Sequence, residues 1–287
     1  MTPEFEQGQQ EGQINHIMIS EIATSSGPRK RHSSNSNANH ELGEDAGGTL
    51  SLGNNLGVIW VADGASDTNI IGSFSSRILA QDLGQAFSEL TLTEWSQHRK
   101  SKHINLENII RAAVNKTLNL WQSRIKEDPL EEQKISQSLL KLQQKATEPS
   151  AIFFEFSSTL SAIYLDKQGH LECGSSGDSL MAIFQNKENQ YFAFKKGGIT
   201  FRLKSIGKNI LCEKFLSPIQ IYQANETNFA VLSSDGAKET ILSLKENIGL
   251  MNPTIKHFLL LKQKSIGVNP RTQDDKTLGI LGRIHAS

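Results

Sequence analysis

The run Leu56-Gly57-Val58-Ile59-Trp60-Val61-Ala62-Asp63-Gly64-Ala65-Ser66 constrains this chain more than any other stretch. Its apolar, β-branched and aromatic residues read as a buried strand. The Asp-Gly that ends it reads as a turn delivering a carboxylate to the rim of a sheet. The arrangement returns at Phe229-Ala230-Val231-Leu232-Ser233-Ser234-Asp235-Gly236. A looser copy, Asp274-Asp275-Lys276-Thr277, stands before the apolar run Leu278 to Ile284. Three acidic turns at strand ends point to one shared site, and oxygen ligands grouped in this way suit a metal ion.

Composition narrows the class. The chain is 37% hydrophobic and 21% charged, as in a globular protein able to bury a core. Its 287 residues allow one large domain or two small ones. Lys+Arg and Asp+Glu both number 30, so charge gives no argument for nucleic acid or a membrane surface as partner. Cys173 and Cys212 lack a CxxC spacing, which speaks against a disulfide framework or a Cys-ligated zinc site. The polar, acidic stretch Met1 to Gln13 is unlike a signal peptide. Apolar runs such as Phe258-Leu259-Leu260-Leu261 fall well short of a membrane span. A cytoplasmic monomer is expected.

In order, residues 1–14 form a tail expected to be disordered, and residues 15–287 one domain. An opening strand is expected over Ile14 to Ala23. Ser25 to Asn39 is a long loop by composition and carries the basic cluster Pro28-Arg29-Lys30-Arg31-His32. A strand follows at Thr49 to Leu52. Ile71, Phe74, Ile78, Leu79, Leu83, Phe87 and Leu90 recur at helical spacing. Leu106 to Ile125 repeats that period, and Asp128-Pro129 separates it from Leu130 to Ala146, a third helix or a kinked continuation. From Ala151 to Phe194 the period shortens into β-prone runs, an antiparallel meander. Gly197 to Pro218 reads as an irregular flap, and helix signals return at Glu239–Lys245 and Thr254–Lys264. This order favours an α+β fold over a parallel sheet.

Several features have bland readings. Ser66 lacks a Gly-x-Ser-x-Gly elbow. The oxygen-rich stretch Asp63 to Asn69 lacks the glycine and glutamate of a calcium loop. Trp121 and its helical neighbours read as core.

The acidic turns gain weight from their order. Glu44-Asp45-Ala46, Val61-Ala62-Asp63-Gly64, Ser158-Thr159-Leu160, Gly177-Asp178-Ser179, Ser234-Asp235-Gly236 and Asp274-Asp275-Lys276-Thr277 succeed one another along the chain. This series resembles the metal-dependent, type 2C (PPM) protein serine/threonine phosphatase family, over nearly the whole chain from about residue 15. The resemblance implies an α+β, four-layer α-β-β-α sandwich: two antiparallel sheets flanked by helical pairs, with metals at one end.

It also implies roles. Asp63 would bridge two Mg²⁺ or Mn²⁺ ions, the Gly64 carbonyl would complete one shell, and Asp235 and Asp274 would hold the other ion. Glu44 and Asp45 would act mainly through metal-bound waters. Asp178 would join Asp235 around a third ion in members that have one. Catalysis would rest most directly on Asp63 and Asp235, by attack of a metal-bridging hydroxide on phosphoserine or phosphothreonine of a phosphoprotein. His40 stands where many members carry a phosphate-binding arginine; it can donate a hydrogen bond but cannot form a bidentate fork. Arg29 or Arg31 could substitute from the preceding loop. Ala65 replaces a histidine found in some members, and Leu180 an arginine. The alternative is a weak or inactive regulatory member that binds a phosphoprotein without turning it over.

Overall fold

The apolar run from Leu56 to Ala62 forms a strand buried along its whole length. The computed structural model describes residues 16–25, 43–53, 56–65, 70–97, 104–145, 152–185, 189–207, 209–238, 241 and 275–285. Strands β1 (His16–Ser25), β2 (Ala46–Ser51) and β3 (Leu56–Ala62) precede helices α1 (Ser76–Gln97), α2 (Leu106–Glu127) and α3 (Pro129–Lys145). Then come β4 (Phe153–Ser158), β5 (Leu160–Asp166), β6 (Leu171–Ser176), β7 (Leu180–Gln185) and β8 (Asn189–Ala193). Strands β9 (Ile199–Ile206), β10 (Asn209–Leu216), β11 (Gln220–Ala224), β12 (Thr227–Ser233) and β13 (Lys276–His285) complete the order.

The strands make three antiparallel sheets: β1-β13-β12-β7-β8, β11-β6-β5-β3-β2 and the smaller β10-β9-β4. Side chains alternate across β3, as a period of two requires. Ile59 and Val61 join Ile163, Leu165, Met181, Ile183, Ala230, Leu232 and Leu281 in a core shared by the two five-stranded sheets. Val58, Trp60 and Ala62 face the other way, into the core formed with the helices. A strand buried on both faces has no polar alternation to show, hence its unbroken apolar sequence.

Trp60 sets the depth at which α1 sits. A Cβ on Gly84 of α1 would lie 2.1 Å from the Trp60 ring, and one on Gly48 of β2 would lie 2.6 Å from it. The indole therefore occupies the space two missing side chains leave. Trp121 of α2 meets Phe74, Phe156 and Phe201 edge-on, with ring centroids 4.9, 5.5 and 5.1 Å apart. Its Nε1 donates to Asp82 Oδ2 at 2.9 Å, and Arg124 grips the same carboxylate at 2.5 and 2.9 Å. One residue thus ties α2 to α1 and to the small sheet through β4 and β9.

The structure corrects several expectations. Ile71 and Phe74 keep helical spacing yet pair with each other across a tight turn. Gly72 takes φ +57° there, and α1 starts later, where Ser75 Oγ accepts the Ile78 N–H at 3.2 Å. Asp128 ends α2 and caps α3, with Oδ1 accepting from Leu130 N at 2.9 Å. Pro129, which has no N–H to leave unpaired, opens α3 as a separate helix. The run from residue 151 to 194 is divided over all three sheets rather than forming one meander, and the stretch from 197 to 218 holds the regular hairpin β9–β10 in place of an irregular flap. The tail 1–14, the basic loop cluster, the helix signal at Thr254–Lys264 and all of Glu239–Lys245 except Ile241 lie outside the described residues. No helix among the described residues is long and apolar enough to cross a membrane.

Replacing Gly84 with alanine gains about 1 kcal/mol of helix propensity but drives a methyl into Trp60. Overpacking of this kind costs about 1–3 kcal/mol, so Gly84→Ala should lower the urea midpoint. A raised midpoint would show that the Trp60 packing is looser than the distances indicate.

Candidate active site

Asp63 comes directly after β3 and is fixed by a reciprocal pair of hydrogen bonds. Its N–H donates to Thr159 Oγ1 at 3.0 Å, and its carbonyl accepts the Thr159 N–H at 2.8 Å. Gly64 then bridges Ser158, and the Ala65 N–H donates to Ser157 O at 2.9 Å. A Cβ on Gly64 would fall 2.8 Å from the Glu44 carbonyl oxygen and 2.9 Å from that of Ser76. Glycine is required because the turn threads between two backbone carbonyls.

The other acidic turns come to the same end of the sheets. Asp45, before β2, is only 5% exposed, and its Oδ2 meets no hydrogen-bond partner among the described residues. Burial pushes the Asp45 carboxyl up to about 7, although hydrogen bonds with the Ser234 and Asp63 side chains pull it down; Asp275 adds repulsion, and Thr277 a smaller opposing bond. Asp275, 2% exposed, accepts the Glu44 N–H at 2.5 Å. Gly43, at φ +66°, permits that approach, since a Cβ there would lie 2.5 Å from the Asp275 carboxyl. Ser234 and Thr277 exchange bonds: the Thr277 N–H donates to Ser234 Oγ at 3.0 Å, and the Ser234 N–H to Thr277 O at 3.0 Å. That exchange binds the end of β12 to the start of β13.

Asp178 lies just beyond β6. Gly177 precedes it at φ +137°, packed so closely on Thr159 that a Cβ would lie 2.4 Å from the threonine methyl. Ser161 joins Ser175 at 2.6 Å and donates to Ser179 Oγ at 2.7 Å, fixing the base of this turn. Asp63, Gly64, Asp178 and Asp235 open together onto a cleft of about 810 Å³. Its far wall is the hairpin β9–β10 and the segment before it, including Gly198, Lys214 and Phe215.

Of the sequence candidates, Asp45, Asp63, Gly64, Asp178 and Asp235 gather here with Glu44 beside them; His40 and Asp274 lie outside the described residues. The donor chemistry fits a hard divalent cation, because Asp45 Oδ2 is buried without a partner beside a second carboxylate and near a glycine turn. Among the described residues no group of three or more Asp, Glu, His or Cys side chains closes into a ready-made cation site. Sequence reasoning gave no role to Asp275, the neighbour of Asp274. The signal was present: Asp275 and Thr277 are two apart, so both face Asp45. It also gave no role to Thr159, which holds Asp63, or to Lys214, which lines the cleft.

A family model described as protein phosphatase 2C matches residues 34–266. The chain belongs to the protein phosphatase 2C family. Members of this family are generally dependent on Mg²⁺ or Mn²⁺ and act as phosphoprotein phosphatases. The serine/threonine phosphatase Stp1 from Staphylococcus aureus is 14% identical, aligned over 94% of this chain and 96% of that one, with a TM-score of 0.51. A chain from a structural study of the bacterial stressosome is also 14% identical, over 92% of this chain and 98% of that one, with a TM-score of 0.50. At such identities these likenesses show a shared mixed α/β fold with antiparallel sheets. No curated protein sequence matches the chain.

Thr159→Val keeps the shape of the side chain but leaves the half-buried Asp63 N–H without its acceptor, which should cost about 0.5–1.5 kcal/mol in urea unfolding. Thr159→Ser, which retains the hydroxyl, should lose less. Equal losses in the two variants would remove the hydrogen bond as the reason for threonine here.

Proposed function

We propose that this protein phosphatase 2C member is a catalytically competent serine/threonine phosphatase, acting on phosphoproteins in the cytoplasm as a monomer. The observation that carries the reading is the gathering of Asp45, Asp63, Gly64, Asp178 and Asp235 at one end of two packed sheets, open to a cleft of about 810 Å³. The four-layer order α-β-β-α is part of the proposal. It is supported by the apolar outer face of the β7–β12 sheet, where Leu180, Ala182, Phe184, Phe229 and Val231 are all buried.

In this reading Asp63, the Gly64 carbonyl, Asp235 and Asp274 would hold two divalent cations, with Asp63 contributing to both. Asp45 and Glu44 complete the acidic floor, and Asp178 with Asp235 provides for a third ion. When bound, the cations supply Lewis acidity to the phosphate and make water nucleophilic near neutral pH. The chain's own residues do the positioning. Thr159 fixes Asp63 through its two hydrogen bonds, and the serine pair at Ser161 and Ser175 fixes the turn bearing Asp178. His40 is proposed to meet the substrate phosphate. No side chain serves as a nucleophile, so no phosphoenzyme forms.

A second reading, a regulatory member that binds a phosphoprotein without hydrolysing it, draws on His40, which stands where many members carry a phosphate-binding arginine. The two separate on p-nitrophenyl phosphate with Mn²⁺ or Mg²⁺. Competence predicts turnover that chelation abolishes and that Asp63→Ala lowers by at least about a hundredfold, the size expected when positioned electrostatic catalysis is lost. Phosphopeptide binding without phosphate release would favour the regulatory reading, and full activity in Asp63→Ala would refute the assignment of the bridge.

A further inference from the structure

The hairpin β9–β10 stands across the cleft from the carboxylates and carries a lysine, Lys214, that forms no ion pair among the described residues. Three cationic residues lie on the small sheet. Arg202 is held by Glu155 at 2.6 Å and stacked between the rings of Phe153 and Phe215, 4.6 and 4.4 Å from their centroids. Lys204 pairs with Glu213 at 2.5 Å. Lys214 alone of the three lines the cleft, and its bond is to Asn115 Oδ1, a neutral amide. Exposed Lys195 and Lys196 immediately precede Gly197 on the same rim. The far wall of the cleft thus carries one basic side chain, Lys214, opposite the acidic end that bears Asp63, Asp178 and Asp235.

Strand register gives the separation. Gly64 bridges Ser158, Ser158 pairs with Ile199, and Ile199 pairs with Leu216, so three strand spacings divide the metal turn from β10. At about 4.8 Å each, that is roughly 14 Å. Lys214 lies two residues further along β10, too far to share the phosphoryl group and near enough to meet the chain that carries it. An extended peptide covers about 14 Å in roughly four residues.

We infer that Lys214 is a specificity residue: it receives an acidic side chain about three to five residues from the phosphorylated serine or threonine of the substrate. The inference rests on the phosphatase reading for its substrate class, and charge complementarity selects the acidic peptide over a neutral one.

The test uses fluorescently labelled phosphoserine peptides that differ only in carrying Glu or Ala three to five positions to either side. Binding is read by anisotropy with Mn²⁺ present, and kcat/KM by phosphate release. The native protein should prefer the acidic peptide by about fivefold, the scale of one rim ion pair. Lys214→Gln, which keeps a donor for Asn115, should abolish the preference, and Lys214→Glu should invert it. The ratio between two peptides is insensitive to a general loss of folded protein. A native protein without preference, or variants that keep the native ratio, would overturn the inference. If phosphate is never released while the binding ratio shifts as described, Lys214 stands and the catalytic reading falls.

Discussion

Two aspartates, Asp45 and Asp275, sit inside this protein at 5% and 2% exposure, and much of the surrounding structure serves to keep them there. A buried carboxylate is costly unless hydrogen-bonded, neutralised or joined by a cation. Each solution is partly built here. Asp275 spends itself on the Glu44 N–H, while Asp45 takes bonds from Ser234 and Thr277 and still keeps one oxygen without a partner. The glycines at 43 and 64 answer the same demand, since side chains there would strike the Asp275 carboxyl or the backbone carbonyls that enclose the turn. The rigidity comes from β3, gripped by β2 and β5 and packed on both faces.

Much of this was legible in the sequence. A strand buried on both faces announces itself as an apolar run, and an Asp-Gly at its end can hardly be other than a turn. The ordered series of acidic turns therefore disclosed the family, and five of the residues it marks lie together at one end of the sheets. Helix α2 was equally plain, while Leu130 to Ala146 could be a third helix or a kinked continuation; Asp128, which ends α2 and caps α3, makes it a separate helix. The partition of strands among sheets was not legible. Strands β5 and β6 are buried throughout and β7 nearly so, so no alternation distinguishes one face from the other or assigns a partner.

Other misses had local causes. Ile71 and Phe74 imitate the adjoining helix, and only the positive φ at Gly72 breaks the pattern. The hairpin β9–β10 did alternate: Ile199, Phe201 and Leu203 point inward, and Thr200, Arg202 and Lys204 are only half-buried. Flanking Gly197-Gly198 and Pro218 drew attention to irregularity instead. A glycine pair beside a strand marks where the chain must turn, and says little about how regular the next residues are.

The hairpin belongs to a sheet of its own, hydrogen-bonded to β4 and separate from the strands that bear the acidic turns. Its sheet meets the acidic turns through the backbone contacts of Ser157 and Ser158 with Ala65 and Gly64, and meets the helices through the aromatic cluster around Trp121. If Lys214 reads the substrate as inferred, the choice of target rests on a β-ribbon apart from the strands that bear the carboxylates.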